Sequence, residues 1–134
     1  MGPQLAAYAC VALGSALGGV ARYWMGLAVT HRLGDGFPWG TLFINILGSF
    51  VIAFFGTLTI ADGPRPASVE ARLFVMVGLC GGFTTFSSFS LQTFDLVQAG
   101  EAGRGIAYIA ASVALCIIGT ALGYYAAAAI NARS

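Results

Sequence analysis

Residues 78–89 carry the side chains of this sequence that are best suited to hold an ion in an apolar environment. The stretch reads GLCGGFTTFSSF and joins a glycine pair, Gly81 and Gly82, to two threonines, two serines and three phenylalanines. Hydroxyls donate hydrogen bonds, and the edges of aromatic rings carry partial positive charge. The glycine pair favours a break in a helix, which would add free backbone N–H groups. The stretch therefore indicates an ion or solute site.

Polar residues elsewhere in the apolar stretches extend this pattern. Asn45 lies in the middle of one stretch, with Thr41 one turn before it. Tyr108 and Ser112 have i, i+4 spacing and share a helix face, which Cys116 continues. Such residues also serve as hydrogen-bonding contacts between helices, so packing alone remains an alternative.

The phenylalanines and the positions of the acidic residues together indicate the charge of the ion that the site would bind. Phe86 and Phe89, at i and i+3, are neighbours on a helix face, although a plain packing pair is the alternative. No acidic residue lies well inside an apolar stretch, since Asp95 falls near the end of the third. Proton relays and cation sites in membranes normally use buried carboxylates. A passive path for a small anion therefore fits better than proton-coupled transport.

The elements that must position these side chains are membrane helices. Of the 134 residues, 58% are hydrophobic and only 8% charged, which predicts an all-α integral membrane protein. We expect a single transmembrane domain over residues 1–134, with both termini on one side of the membrane. Each of its four helices is near the ~20 residues that a bilayer core requires, and they span about residues 4–29, 39–60, 71–97 and 105–130.

The arginines give no clear orientation for these helices. The chain has no lysine, and three arginines fall on each side of the predicted membrane: Arg65, Arg72 and Arg133 on one side, and Arg22, Arg32 and Arg104 on the other. Because the Lys/Arg bias sets orientation, this balance predicts insertion both ways round. The alternative is that such small numbers carry no signal.

Several classes of function lack the residues they need. Without lysine there is no GxxxxGK phosphate loop. The one histidine, His31, falls in a predicted connection, so neither a serine–histidine pair nor a metal site in the membrane is expected. We therefore expect no enzyme. The cysteines lack metal-ligand spacing and are expected to be small buried residues: Cys10, Cys80 and Cys116.

The run GGFTTFSSFS resembles the Fluc family of fluoride channels, also called CrcB proteins. The same resemblance is carried by GxxxRYW from Gly18 to Trp24, by PWGTLFINILGSF in the second stretch, and by Tyr108 and Ser112 in the fourth. It spans all four helices. The resemblance implies an antiparallel, dual-topology homodimer with two pores, which agrees with the balanced arginine count.

The resemblance also implies a broken third helix and a sodium site. The break would lie near Gly81 to Thr84, and the backbone carbonyls of these two residues from both subunits would hold a structural Na⁺ at the dimer interface. Carbonyl oxygens suit such a hard cation. Arg22 matches the arginine that the family places near an interface or vestibule.

The fluoride pathway implied by the resemblance has eight residues. Phe86 and Phe89 would turn ring edges toward the ion, and Asn45 would donate to it. Hydroxyl groups would line or orient the rest of the pathway, and Thr41 is the weakest candidate. The remaining members are Ser87, Ser88, Tyr108 and Ser112.

Two positions depart from the family pattern. Cys116 stands where the polar track on the fourth helix often has a hydroxyl, which weakens one donor. Gln92 stands where relatives often carry glutamate; glutamine keeps the hydrogen bonding but lacks the charge.

The implied function is passive export of fluoride from the cytoplasm across the bacterial plasma (inner) membrane, which relieves fluoride toxicity. The implied partners are fluoride, sodium, the lipid bilayer and a second copy of the chain, with no nucleic acid. A small multidrug exporter is one alternative, but it would be expected to carry a glutamate in residues 4–29, which hold none. A non-transporting assembly subunit would not explain the hydroxyl and phenylalanine cluster. A hydrolase would need a base beside Ser87 or Ser88.

Overall fold

The computed structural model describes residues 2–133 and consists of helices. Four helical spans are long and apolar enough to cross a membrane, as the sequence predicts. They are α1 (Pro3–Leu33), α2 (Trp39–Leu58), a third span (Val69–Gln98) and α6 (Ala102–Ala132).

The helix ends differ from the expected ones by a few residues. The largest difference is in α1, which continues past residue 29 to Leu33, so that His31 and Arg32 belong to the helix. The positive charge of Arg32 in the last turn is favoured by the helix dipole. Gly34, at a φ of 81°, then ends α1 in a conformation that suits glycine.

The third span is four helical pieces in a row, interrupted by two extended residues. Those residues, Thr84 and Thr85, form the break (φ, ψ of −78°, 157° and −152°, 114°). Gly81 and Gly82 are helical, so the break lies at the far end of the predicted range, after the glycine pair. The pieces are α3 (Val69–Arg72), a π-helical segment (Leu73–Cys80), α4 (Gly81–Phe83) and α5 (Phe86–Gln98).

The glycines instead permit close helix contacts. A Cβ atom on Gly14 would collide with the backbone of the π-helical segment at Phe74 and Gly78, and one on Gly82 would collide with the backbone of Ser15 in α1. Gly119 in α6 approaches α2 in the same way. Small residues let helices approach closely in lipid, and Gly82, which the sequence predicted to favour a break, makes such a contact instead.

Few side chains are buried within one chain. The buried hydrophobic residues among those described are Leu42, Ile44, Cys80, Tyr108 and Ala127. Of the three free cysteines, only Cys80 is buried, while Cys10 and Cys116 are partly exposed. Most of the apolar surface of the spans therefore faces outward, as a bilayer or a second copy of the chain requires.

Side chains from two other elements cap the C-terminal end of α2 by donating hydrogen bonds to its last carbonyls. Arg72 Nη1 donates to the carbonyl oxygens of Gly56 and Thr59 at 3.1 and 3.0 Å. Asn131 Nδ2, from the end of α6, donates to the carbonyl oxygen of Thr57 at 3.0 Å. The carbonyls that a helix leaves unpaired at its end thus have partners here.

Candidate ion site at the break

Asn45 holds the break from the middle of α2. Its Nδ2 donates to the carbonyl oxygen of Thr85 at 3.1 Å, and its Oδ1 accepts from the Thr85 N–H at 2.8 Å. The bond to Oδ1 takes the place of the one that the Thr85 N–H would make in a continuous helix. Because an amide nitrogen carries two hydrogens, one N–H of Asn45 remains to donate to a bound ion.

The serine hydroxyls gather on Thr85, which caps α5. Thr85 Oγ1 accepts from the Ser88 N–H at 3.1 Å and lies 3.1 and 3.2 Å from the hydroxyls of Ser88 and Ser87. The N-terminal end of a helix carries partial positive charge and free N–H groups. The break therefore turns the positive end of α5 into the membrane interior.

Two backbone carbonyls at the break have no hydrogen bond within residues 2–133. The N–H and the hydroxyl of Thr84 both donate to the Cys80 carbonyl oxygen at 2.9 Å, but the carbonyls of Gly81 and Thr84 accept from no described group. No group of three or more His, Cys, Asp or Glu residues that could hold a metal occurs in the described chain. Free carbonyl oxygens are ligands that suit a hard cation.

A row of aromatic rings runs from the break to the start of α2. Phe86 and Phe89 have ring centroids 5.3 Å apart, and Phe89 lies 5.2 Å from Tyr108. Phe37 continues the row edge-on to Tyr108 at 5.4 Å and contacts Trp39 at 4.6 Å. Sequence reasoning did not assign Phe37 or Trp39 to the site: Phe37 lies in the connection before α2, and Trp39 appeared only as the first residue of the second span.

Tyr108 joins this row to the polar groups. Its hydroxyl donates to Gln92 Oε1 at 2.9 Å. The side chain of Tyr108 is fully buried. Since the oxygen of Gln92 is taken by Tyr108, the amide N–H₂ of Gln92 is the end left to donate elsewhere.

A cavity of about 410 Å³, the break cavity, lies beside the break. Ser112 lines it, and its hydroxyl is buried without a hydrogen-bond partner among the described residues. Such a hydroxyl can donate to a bound guest. No charged side chain lines this cavity in the described chain, and the other predicted site residues that line it are Asn45, Gly81, Thr84, Phe86 and Phe89.

A second cavity of about 540 Å³, the Arg22 cavity, adjoins the first. Thr85 lines both. Arg22 has no ion-pair partner among residues 2–133, although the carboxylate of Asp35 lines the same cavity. The remaining polar lining groups include Thr41, Ser88 and Gln92. Of the eight predicted pathway residues, only Ser87 and Tyr108 line neither cavity.

The fold and the site thus define a multi-pass membrane protein that gathers neutral hydrogen-bond donors around a helix break. Residues 9–124 match the family described as "CrcB-like protein, Camphor Resistance (CrcB)", and the chain belongs to this family. This confirms the resemblance noted in the sequence.

The relatives are bacterial membrane proteins named as channels. One from Methylocella silvestris is 54% identical over 92% of this chain and 95% of the relative. One from Gluconobacter oxydans is 56% identical over 90% of this chain and 84% of the relative. Both are named "Fluoride-specific ion channel FluC". The family is thus one of channels, which confirms the expectation of no enzyme, and this chain is a multi-pass bacterial membrane protein.

Proposed function

We propose that this chain forms a fluoride channel that lets the anion leave the cytoplasm passively. The observation that carries the proposal is the break cavity, where neutral donors surround a helix N-terminus next to the free charge of Arg22. The name that the relatives carry supports fluoride as the ion.

The donors suit a small anion with a strong hydration shell. A channel must replace the water around such an ion without binding the ion too tightly. The second N–H of Asn45, the hydroxyl of Ser112 and the ring edges of Phe86 and Phe89 can do this with no full charge in the cavity. Arg22, in the neighbouring cavity, would raise the local concentration of anions.

We further propose that two antiparallel copies complete the site and give two pores. Phe86 is 79% exposed in one chain although it lines the break cavity, so the proposed pathway has an open side. The carbonyls of Gly81 and Thr84 fit a structural Na⁺, but two oxygens are too few for a full shell. The same carbonyls from a second copy would complete it, and the bound ion would supply fixed positive charge near the pathway.

Fluoride efflux from liposomes tests the channel directly. Purified protein is reconstituted, a potassium ionophore is added, and released fluoride is read with an electrode while chloride release is measured in parallel. We expect fast fluoride release with negligible chloride release. No release from folded, reconstituted protein would contradict the channel and favour an assembly subunit.

Sodium is tested by a readout that does not depend on flux. Thermal unfolding of the detergent-solubilised protein is compared in sodium and in potassium at equal ionic strength. We expect a higher midpoint in sodium, because an ion that binds only the folded state stabilises it. Equal midpoints at all concentrations would contradict a sodium site.

A further inference from the structure

An apolar groove lies between α1, α2 and α6, on the face of α2 opposite the break. Its volume is about 780 Å³. On α2 the groove is lined by Phe43, Leu47 and Phe50, whereas Asn45 and Ser49 line the break cavity. The 3.6-residue helix period sets these two groups on opposite faces. The groove, here called the lateral groove, is therefore separate from the proposed ion pathway.

The lateral groove is apolar along its length and charged at one end. On α1 it extends from Trp24 to Leu33, a rise of about 14 Å at 1.5 Å per residue. Arg32 is the only charged residue among the described lining residues, and it is exposed in the last turn of α1 without an ion-pair partner in residues 2–133. This polarity matches an amphiphile with an anionic head.

We propose that the lateral groove binds an anionic phospholipid, with an acyl chain along the groove and the phosphate on Arg32. Arginine binds phosphate through two parallel N–H bonds, which gives a specific contact at the membrane surface. Trp24, which is 66% exposed, and Phe43, which is 52% exposed, offer the chain a lipid-facing aromatic wall.

A second copy of the chain fits this groove less well. A twofold contact would place the same surface on both sides. None of the described lining residues is acidic, so the copy would bring no carboxylate to Arg32 from its own groove. The charge of Arg32 is met by a lipid phosphate instead.

The test uses lipids brominated on the acyl chain, which quench tryptophan fluorescence on contact. Trp24 is observed in a Trp39→Phe background, in vesicles that mix unlabelled phosphatidylcholine with brominated phosphatidylglycerol or brominated phosphatidylcholine. One anionic head near an arginine is worth ≈ 1 kcal/mol, so half-quenching is expected at an about fivefold lower fraction of phosphatidylglycerol.

Two arginine substitutions at the same end of the bundle give the control. Arg32→Gln is expected to abolish the preference for phosphatidylglycerol. Arg104→Gln is expected to keep it, because Arg104 pairs with Glu101 at 2.7 Å and does not line the groove. Equal quenching by the two lipids, or an equal loss of preference in both variants, overturns the proposal. So does the absence of quenching by either lipid, which would show that protein covers the groove.

Native mass spectrometry of the unaltered chain gives a second readout that needs no tryptophan change. We expect phosphatidylglycerol to stay bound to the wild type and to Arg104→Gln at collision energies that strip it from Arg32→Gln. Equal retention in all three would overturn the proposal. Neither measurement depends on ion flux, so the lipid site and the channel can fail separately.

Discussion

Helical hydrogen bonding ends at two places in this bundle where the backbone carbonyls are treated in opposite ways: they have side-chain partners at one place and lack partners at the other. At the C-terminal end of α2, Arg72 and Asn131 supply hydrogen bonds to the last carbonyls. At the break, Asn45 pairs with Thr85, but the carbonyls of Gly81 and Thr84 keep no partner within the described chain. Only the break lies in the middle of a membrane span, where a bilayer offers no water.

This difference in carbonyl pairing indicates that the end of α2 has a structural role and the break a functional one. Where every polar group has a partner in the same chain, nothing remains to bind a guest. At the break, the hydroxyl of Ser112 and two carbonyls remain available. Buried unpaired groups are costly, so those retained in a membrane protein point to a ligand or a partner. Substitutions should therefore change ion flux at the break and stability at the end of α2.

Asn45→Asp is expected to have the largest effect. A carboxylate cannot donate to the Thr85 carbonyl, and its charge repels an anion, so loss of ≈ 3 kcal/mol would slow fluoride efflux by about 100-fold. The matched control is Asn131→Asp at the end of α2. We expect it to lower the unfolding midpoint and keep the efflux per folded protein. Similar efflux from the two variants would contradict the distinction.

Phe86→Ile should follow, with efflux reduced by about tenfold or more, because one ring edge is worth ≈ 0.5–1.5 kcal/mol and packing around the ion is also lost. The ring is 79% exposed in one chain, so each chain should still fold. Phe54→Ile is the control, since Phe54 stacks on Phe50 at 5.8 Å away from the break. Equal efflux from both variants and the wild type would exclude Phe86 from the pathway.

Gly48→Ala tests the position of the break. The added Cβ would collide with the side chain of Thr84, so efflux should fall about severalfold, as overpacking costs ≈ 1–3 kcal/mol. Gly56→Ala is the control in the same helix, because its Cβ would meet only the flexible end of Met76. A Gly48→Ala variant with normal efflux would show that the break need not stay in place.

Gln92→Glu tests the donors in the Arg22 cavity. Relatives often carry glutamate at this position, so the carboxylate should be tolerated; it would add negative charge to the cavity that Arg22 lines, so efflux should be slower at pH 7 without being abolished. The side chain is neutral when protonated, so efflux should recover as the pH falls through the pKa of the new glutamate, which the nearby charge of Arg22 should hold below the usual range. Gln98→Glu, at the exposed end of α5, should show neither change. An efflux that does not depend on pH in Gln92→Glu would contradict this role.

Arg72→Ala should have the smallest effect on flux. It removes three hydrogen bonds at the end of α2 and should lower the free energy of unfolding by about 2–4 kcal/mol. Denaturation in detergent measures the loss, and efflux is normalised to folded protein. If normalised efflux fell as far as in Asn45→Asp, the two ends would not be functionally distinct.

The sequence was enough for the four membrane spans, and several residues that it singled out line the break cavity. Four spans follow from four long apolar stretches, because a membrane helix must be long and almost uncharged. Four site residues were also visible in the sequence, because polar groups, and phenylalanines set among hydroxyls, are unusual at membrane depth. They are Asn45, Phe86, Phe89 and Ser112. The resemblance to the fluoride channel family then assigned them to one pathway.

Only the tertiary structure decided how those residues are used. Residues 40 positions apart, Asn45 and Thr85, join through two hydrogen bonds, and this pairing puts the break after the glycine pair. The contact of Tyr108 with Gln92 and the lateral groove ending at Arg32 arise in the same way. Local propensity reports where a helix can break or bend. Which of those positions breaks depends on the partners that packing brings to it, and these come from distant parts of the chain.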